Sequence, residues 1–139
     1  MELLSLGTLA KLFFNASDTK IKKKIAREFG LPNHLAFESW MNSISALRNC
    51  CAHHARIWNR NYPVTPDLPK RLCNAWIKDT NTPFNKLYAQ LCCIAYWYYS
   101  IDPNNTFTAD IKALLSKYPI VDTNAMGFVK DWQNEPLWK

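Results

Sequence analysis

The first half of the chain has the spacing of apolar residues that is typical of helices. Leucines and phenylalanines at intervals of three or four predict a helix over residues 4–14. Beyond Ser17, which suits an N-cap, a similar stripe predicts a second helix that Gly30 ends. Pro32 suits the first turn of a longer third helix, which we expect to run to about Trp58.

The second half of the chain alternates loops and helices. Three prolines in residues 63–69 predict a loop, and a short helix is expected from Lys70 to Lys78. The pair Thr82-Pro83 predicts the start of an apolar helix that Pro103 closes. Thr108 should cap a last helix.

The end of the chain is irregular but rich in large apolar side chains. After Pro119 these are Met126, Phe128, Trp132, Leu137 and Trp138. We expect this tail to pack back over the core, because so much apolar surface is costly to leave in water. No segment alternates apolar and polar residues as a strand does. The sequence therefore predicts one all-α domain, a helical bundle over residues 1–139.

The charge balance narrows the class of partner. The formal net charge is +6, with 12 Lys and Arg against 6 Asp and Glu in residues 1–80 and 5 against 5 in residues 81–139. The excess positive charge would attract a polyanion such as RNA, although a basic face can also serve solubility alone. Four side chains are candidates for contacts with an RNA backbone: Lys22, Lys23, Lys24 and Arg60.

The cysteine pattern favours a reduced chain. There are five Cys, as two adjacent pairs and a single residue, and no CxxC spacing. Adjacent cysteines on apolar stretches are poor disulfide partners, which predicts a cytoplasmic protein. The longest uncharged apolar run, Leu91 to Ile101, is too short to span a membrane, and the start of the chain lacks a signal-peptide layout.

Polar residues on the third helix follow one another by three or four and should share one face. They are Asn42, Ser45, Asn49, His53 and Arg56, with Arg48 and His54 on either side. RNA can be cleaved by its own 2′-hydroxyl without a metal if one group moves protons and a cation steadies the phosphate. Histidine titrates near neutral pH, and arginine presents a fork of donors matched to phosphate oxygens.

The spacing within this set raises a geometric difficulty. Arg48 and His53 are five residues apart, which places them about 140° apart around an ideal helix. Three arrangements could still bring them to one phosphate: Arg48 reaches around, the helix is distorted, or a second copy of the helix completes the site. The last arrangement predicts a homodimer.

The segment RNCCAHHARIWNR, residues 48–60, resembles the R-N-x-x-x-H form of the Arg-x(4–6)-His motif of HEPN domains. The surrounding sequence is similar to abortive infection proteins of the AbiD/AbiF type. The similar segments, in order, are LSLGTLAKLF, FGLPN, ESW, CAHHARIWNR and MGFVKDWQNEPLW. They span nearly the whole chain, whereas a lone Arg-x(4)-His would be a weak signal.

The resemblance implies a helical HEPN-like fold, a homodimer and a metal-independent endoribonuclease that limits phage spread. Two Arg/His motifs would then form one composite site. In that frame Arg48 stabilises the phosphate and His53 moves the proton, while Asn49 follows the motif arginine and His54 is the rival of His53. Members of this family are usually longer before the position of Met1, so we expect this chain to correspond to their C-terminal part.

Other functions are open on the sequence alone. A non-catalytic module that binds RNA or protein would suit a shortened chain. A zinc site at Cys50-Cys51 and His53-His54 is disfavoured, because four neighbours on one helix cannot surround a metal. We therefore expect no metal and no cofactor, with Arg48 and His53 as catalytic residues and Asn49, His54 and Arg56 in support.

Overall fold

The fold is known from a computed structural model that describes residues 5–79 and 81–139, and within these ranges it contains no strand. The helices are α1 (Leu6–Asn15), α2 (Thr19–Glu28), α3 (His34–Ala52), α4 (Leu87–Ile101) and α5 (Phe107–Lys117). Three short 3-10 helices follow at Asn124–Met126, Trp132–Asn134 and Pro136–Trp138. The predicted all-α class is confirmed.

A polar side chain caps the N-terminus of each of the first three helices. Ser5 Oγ accepts from the Thr8 N–H at 3.1 Å, which caps α1. Asp18, rather than the expected Ser17, caps α2 through its carboxylate. Asn33 Oδ1 accepts an N–H in the first turn of α3 at 2.8 Å, so the helix begins after this residue and not at Pro32. Each cap satisfies a backbone donor that the helix leaves free.

Gly30 ends the turn after α2 with a φ of 74°, a left-handed value that glycine adopts without strain. Its carbonyl accepts a hydrogen bond from the buried Tyr96 hydroxyl of α4 at 2.5 Å. The same hydroxyl accepts from the N–H groups of Cys73 and Asn74, both at 3.1 Å. One side chain of α4 therefore fixes both the turn after α2 and the loop between α3 and α4.

The core is arranged around α3, which contacts α1, α2 and α4. Trp40 of α3 is fully buried and packs against Trp76 and Tyr96, each with 5.5 Å between ring centroids. Its indole N–H donates to the Asp67 carbonyl at 2.7 Å. The loop that follows α3 is thereby held along this helix at Asp67.

The tail packs over the core, as the sequence predicted. Trp138 is fully buried and stacks on Tyr88 of α4, with 5.9 Å between the ring centroids and 16° between the planes. Trp132 meets Trp138 edge to face at 4.9 Å. Glu135 fixes the tail to the loop, because its Oε2 accepts from the Lys78 N–H at 2.6 Å.

Several predicted boundaries were wrong in the second half of the chain. The segment 70–78 forms no helix, since its backbone is bound by tertiary partners such as Tyr96. α4 begins at Leu87 instead of at Thr82-Pro83. α5 begins directly after Thr106, two residues before the predicted cap.

Gly30 and Gly7 provide a matched test of this fold. A Cβ at Gly30 would lie 2.7 Å from Ser100 Oγ and 2.8 Å from Asn74 Nδ2, in addition to the strain of a left-handed φ. We expect Gly30→Ala to lower the free energy of unfolding by about 2 kcal/mol or more, measured by urea denaturation.

Gly7 lies inside α1, where a Cβ would meet Ser45 Oγ at an ordinary 3.6 Å. Gly7→Ala should leave the free energy of unfolding unchanged or raise it by up to about 1 kcal/mol, because alanine is the better helix former. Equal stability of the Gly30→Ala variant and the parent protein would contradict the description of this turn.

Candidate functional site

α3 ends at Ala52, in the middle of the candidate motif, through a turn that satisfies its last carbonyls. The His54 N–H donates to the Cys51 carbonyl at 3.1 Å, and the Ala55 N–H donates to the Cys50 carbonyl at 2.8 Å. This pair of bonds is the Schellman motif, which places one residue in the left-handed conformation. That residue is His54, with a φ of 52°. Glycine would occupy the position with less strain.

The early end of α3 corrects the predicted polar stripe. The helix was expected to run to Trp58, but Arg56 lies beyond it in the loop. Ser45 is buried facing α1, while Asn49 and His53 are exposed. His53 is the C-cap residue of α3, so it is the last residue whose position is set by the direction of this helix.

Arg48 is exposed at the rim of an apolar groove between α1, α3 and α4. We call it the Arg48 groove; its volume is about 560 Å³, and Leu9, Ile44 and Trp97 contribute to its lining. Arg48 Nη1 donates to Asn49 Oδ1 at 3.4 Å, a long hydrogen bond. Within the described residues, no hydrogen bond joins Arg48 to either histidine, and no carboxylate forms an ion pair with it.

A second groove lies on the other side of the same helix end. This Trp58 groove has a volume of about 450 Å³ and includes Cys51, Ile57 and Trp58 from the candidate segment. Residues of α4, α5 and the tail complete it, among them Leu114 and Tyr118. The last turns of α3 therefore form a ridge between two open apolar grooves, with Arg48 on one side and Cys51 on the other.

Tyr62 anchors the segment that follows the histidines. Its side chain is buried, its hydroxyl donates to the Ile57 carbonyl at 3.4 Å, and its N–H donates to the Asn85 carbonyl at 2.8 Å. Burial, with a smaller effect of Cys50, raises the pKa of Tyr62 to about 12, so the phenol stays neutral at physiological pH. The loop after His54 is thus tied to the start of α4.

The four predicted RNA-backbone cations occupy different environments. Lys22 is buried: its Nζ donates to Glu38 Oε1 at 3.1 Å and to the Phe14 carbonyl at 2.7 Å. The structure therefore commits Lys22 to the α2–α3 contact rather than to a ligand. Lys23 and Lys24 are exposed. Arg60 is half-buried, with its guanidinium carbon 5.8 Å from the centroid of the Tyr62 ring.

The described part of the chain contains neither a cluster of metal ligands nor a helix that could span a membrane. Across residues 5–79 and 81–139, no three His, Cys, Asp or Glu side chains come together as a metal site would require. No helix in these ranges has both the length and the apolar character needed to cross a membrane. All five cysteines are free thiols.

Two exposed aromatic residues at this site received no functional role from the sequence. Trp58 was expected as the approximate end of the third helix, and Tyr118 was not singled out. They are 43% and 48% exposed, and both line the Trp58 groove. No local signal could have joined them, because Tyr118 reaches the groove only through the packing of α5 on α4.

Comparison with known proteins places the candidate motif inside a family segment. Residues 1–59 match the family model described as Abi-like protein. No curated protein and no solved structure matches the chain. The matched residues include α1, α2 and α3 and continue through Arg48, His53 and His54. Over this part, the chain is therefore similar to Abi-like proteins.

Proposed function

We propose that this Abi-like protein is a metal-independent endoribonuclease of the HEPN type that acts on RNA in the cytoplasm during abortive infection. Arg48 and His53 would be its catalytic residues, in a site shared by two copies of the chain. The observation that carries the proposal is the exposed Arg48 and His53 at the end of α3, within the family-matched residues and without a hydrogen bond between them.

The proposed reaction is transfer of the phosphodiester to the neighbouring ribose oxygen. The 2′-oxygen attacks phosphorus while a histidine accepts its proton, and the bond to the 5′-oxygen breaks as that oxygen receives a proton. The products are a 2′,3′-cyclic phosphate and a free 5′-hydroxyl. His53 suits the proton transfers, and the Arg48 guanidinium suits the charge that develops on the non-bridging oxygens.

The arrangement around Arg48 and His53 supports a two-chain site. On an ideal helix the two positions point about 140° apart, and Arg48 lies beside its own groove rather than toward the histidines. A twofold pairing of α3 ends would bring Arg48 of each chain toward His53 of its partner.

In this proposal, the positions of the neighbouring polar residues indicate which of them support RNA binding and cleavage. Asn49 Oδ1 accepts from Arg48 and can hold the guanidinium toward a phosphate. Lys23, Lys24 and Arg60 are the remaining candidates for the RNA backbone, along with Arg56 beside the site. His54 is the alternative proton carrier, although its left-handed backbone directs it differently from His53.

Single substitutions test the two catalytic residues. We expect Arg48→Ala and His53→Ala each to slow cleavage of RNA in EDTA by at least about 100-fold. Arg71→Ala is the matched control, since Arg71 is an exposed arginine in the long loop. Equal cleavage by the parent and both variants would contradict the catalytic assignment, and RNA binding without any cleavage would favour a non-catalytic module.

His54→Gly separates the two histidines without disturbing the helix end. Glycine suits the φ of 52°, so we expect the variant to be about 1 kcal/mol more stable in urea denaturation. Cleavage should remain within a fewfold of the parent rate if His53 moves the proton. A loss comparable with that of His53→Ala would assign His54 the role instead.

Mixing two inactive variants tests the shared site. Arg48→Ala and His53→Ala proteins, unfolded and refolded together, should form mixed dimers with one intact arginine–histidine pair. The mixture should therefore cleave RNA faster than either variant alone, and light scattering should report a dimer. A strictly monomeric parent protein that still cleaves would rule out the shared site.

A further inference from the structure

The Trp58 groove lies beside the end of α3, on the side of this helix opposite Arg48. Cys51 belongs to the last turn of α3, and Ile57 and Trp58 follow the histidines along the chain. Tyr62 holds this segment in place. The groove has a volume of about 450 Å³, in the range of pockets that enclose small organic groups. Its lining side chains are aliphatic, aromatic or sulfur-containing.

Two aromatic rings in this groove lack an aromatic partner among the described residues. Trp58 comes from the loop after α3, and Tyr118 comes from the C-cap of α5. Neither stacks on another ring in this part of the chain, whereas the equally exposed Tyr98 stacks on Phe107 at 5.3 Å. Trp58 and Tyr118 therefore offer ring surface to a ligand at the mouth of an apolar groove.

Two cations and one carboxylate belong to residues next to those that line the groove. Lys117 Nζ lies 5.6 Å from the centroid of the Tyr118 ring, and Arg56 directly precedes Ile57. The nearby carboxylate of Asp122 is bound by the backbone N–H groups of Asn124 and Ala125. A ligand that combines flat apolar rings with negative charge complements this arrangement, and single-stranded nucleic acid is such a ligand.

We propose that the Trp58 groove binds a nucleobase of single-stranded RNA next to the phosphate at the Arg48 and His53 site. This assignment rests on the proposed ribonuclease function and adds the strandedness of the substrate. Bases in a duplex are stacked on their neighbours and cannot enter the groove. Because the lining offers few hydrogen-bonding groups, binding selects unpaired bases with little preference among them.

Binding of an uncleavable RNA tests the groove separately from catalysis. The probe is a fluorescent single-stranded 2′-O-methyl oligonucleotide, which lacks the attacking hydroxyl, measured by anisotropy in EDTA. We expect Trp58→Ala and Tyr118→Ala each to weaken binding by at least about fivefold, and Trp58→Phe to retain most of it. Duplex probe of the same sequence should bind more weakly than the single strand.

Tyr99→Ala is the matched control for the loss of an exposed aromatic ring. Tyr99 is 50% exposed, close to the value for Tyr118, but it lines a separate cavity beside Pro103. Its variant should bind the probe within about twofold of the parent protein. A 5-iodouracil-substituted probe should also photo-crosslink to the parent protein at Trp58 or Tyr118, a result that does not depend on how the variants fold.

The binding and cleavage assays distinguish failure of the proposed base site from failure of the proposed ribonuclease function. Unchanged binding by Trp58→Ala and Tyr118→Ala overturns the base site even if the parent cleaves RNA. Loss of binding in both, with a parent that cannot cleave unmodified RNA, supports the base site and overturns the proposed function. Absence of probe binding by the parent overturns the base site. Conversion of a dimer to a monomer by these variants, with probe binding unchanged, identifies the groove as a contact between copies and also overturns it.

Discussion

The structure depends on the hydrogen bonds that α3 makes to the backbone of the loop that packs on it. A loop that packs on a core must satisfy its peptide groups, because buried unpaired N–H and C=O groups are costly. Polar side chains on α3 serve this purpose. Trp40 donates to the Asp67 carbonyl, Ser39 accepts from the Asp67 N–H at 2.9 Å, and Ser43 donates to the Val64 carbonyl at 3.3 Å. These hydrogen bonds do not extend to the last turns of α3, which form the ridge between the two grooves.

The sequence predicted the first three helices well because their signals are local. Caps and a left-handed glycine act within a few residues, and Gly30 could be identified as a helix stop by its type alone. The end of α3 carried no such signal, because His54 occupies the position where glycine is usual and Trp58 continues the apolar spacing. In the segment 70–78, hydrogen bonds to Tyr96 replace those of a helix, and no local pattern reports that partner.

The sequence named the residues of the candidate site, but it predicted their arrangement on the helix incorrectly. Arg48 and His53 were identified from the motif and its family resemblance, whereas the polar stripe assumed a helix that continues through Arg56. Ending α3 at Ala52 removes Arg56 from that face and makes His53 a C-cap residue. The difficulty of aiming both residues at one phosphate persists, because the C-cap position of His53 is still set by the direction of α3.

Two kinds of surface that could contact a ligand meet at the end of α3. Arg48 and Arg56 are exposed cations without an ion-pair partner among the described residues, and the chain is most basic in this half. Beside them, two apolar grooves leave aliphatic and aromatic surface in contact with water. A small anion would pair with the cations, and an apolar peptide would cover the apolar surface. The nucleic-acid strand proposed above would do both, because its phosphates would pair with the cations while its bases would cover the rings.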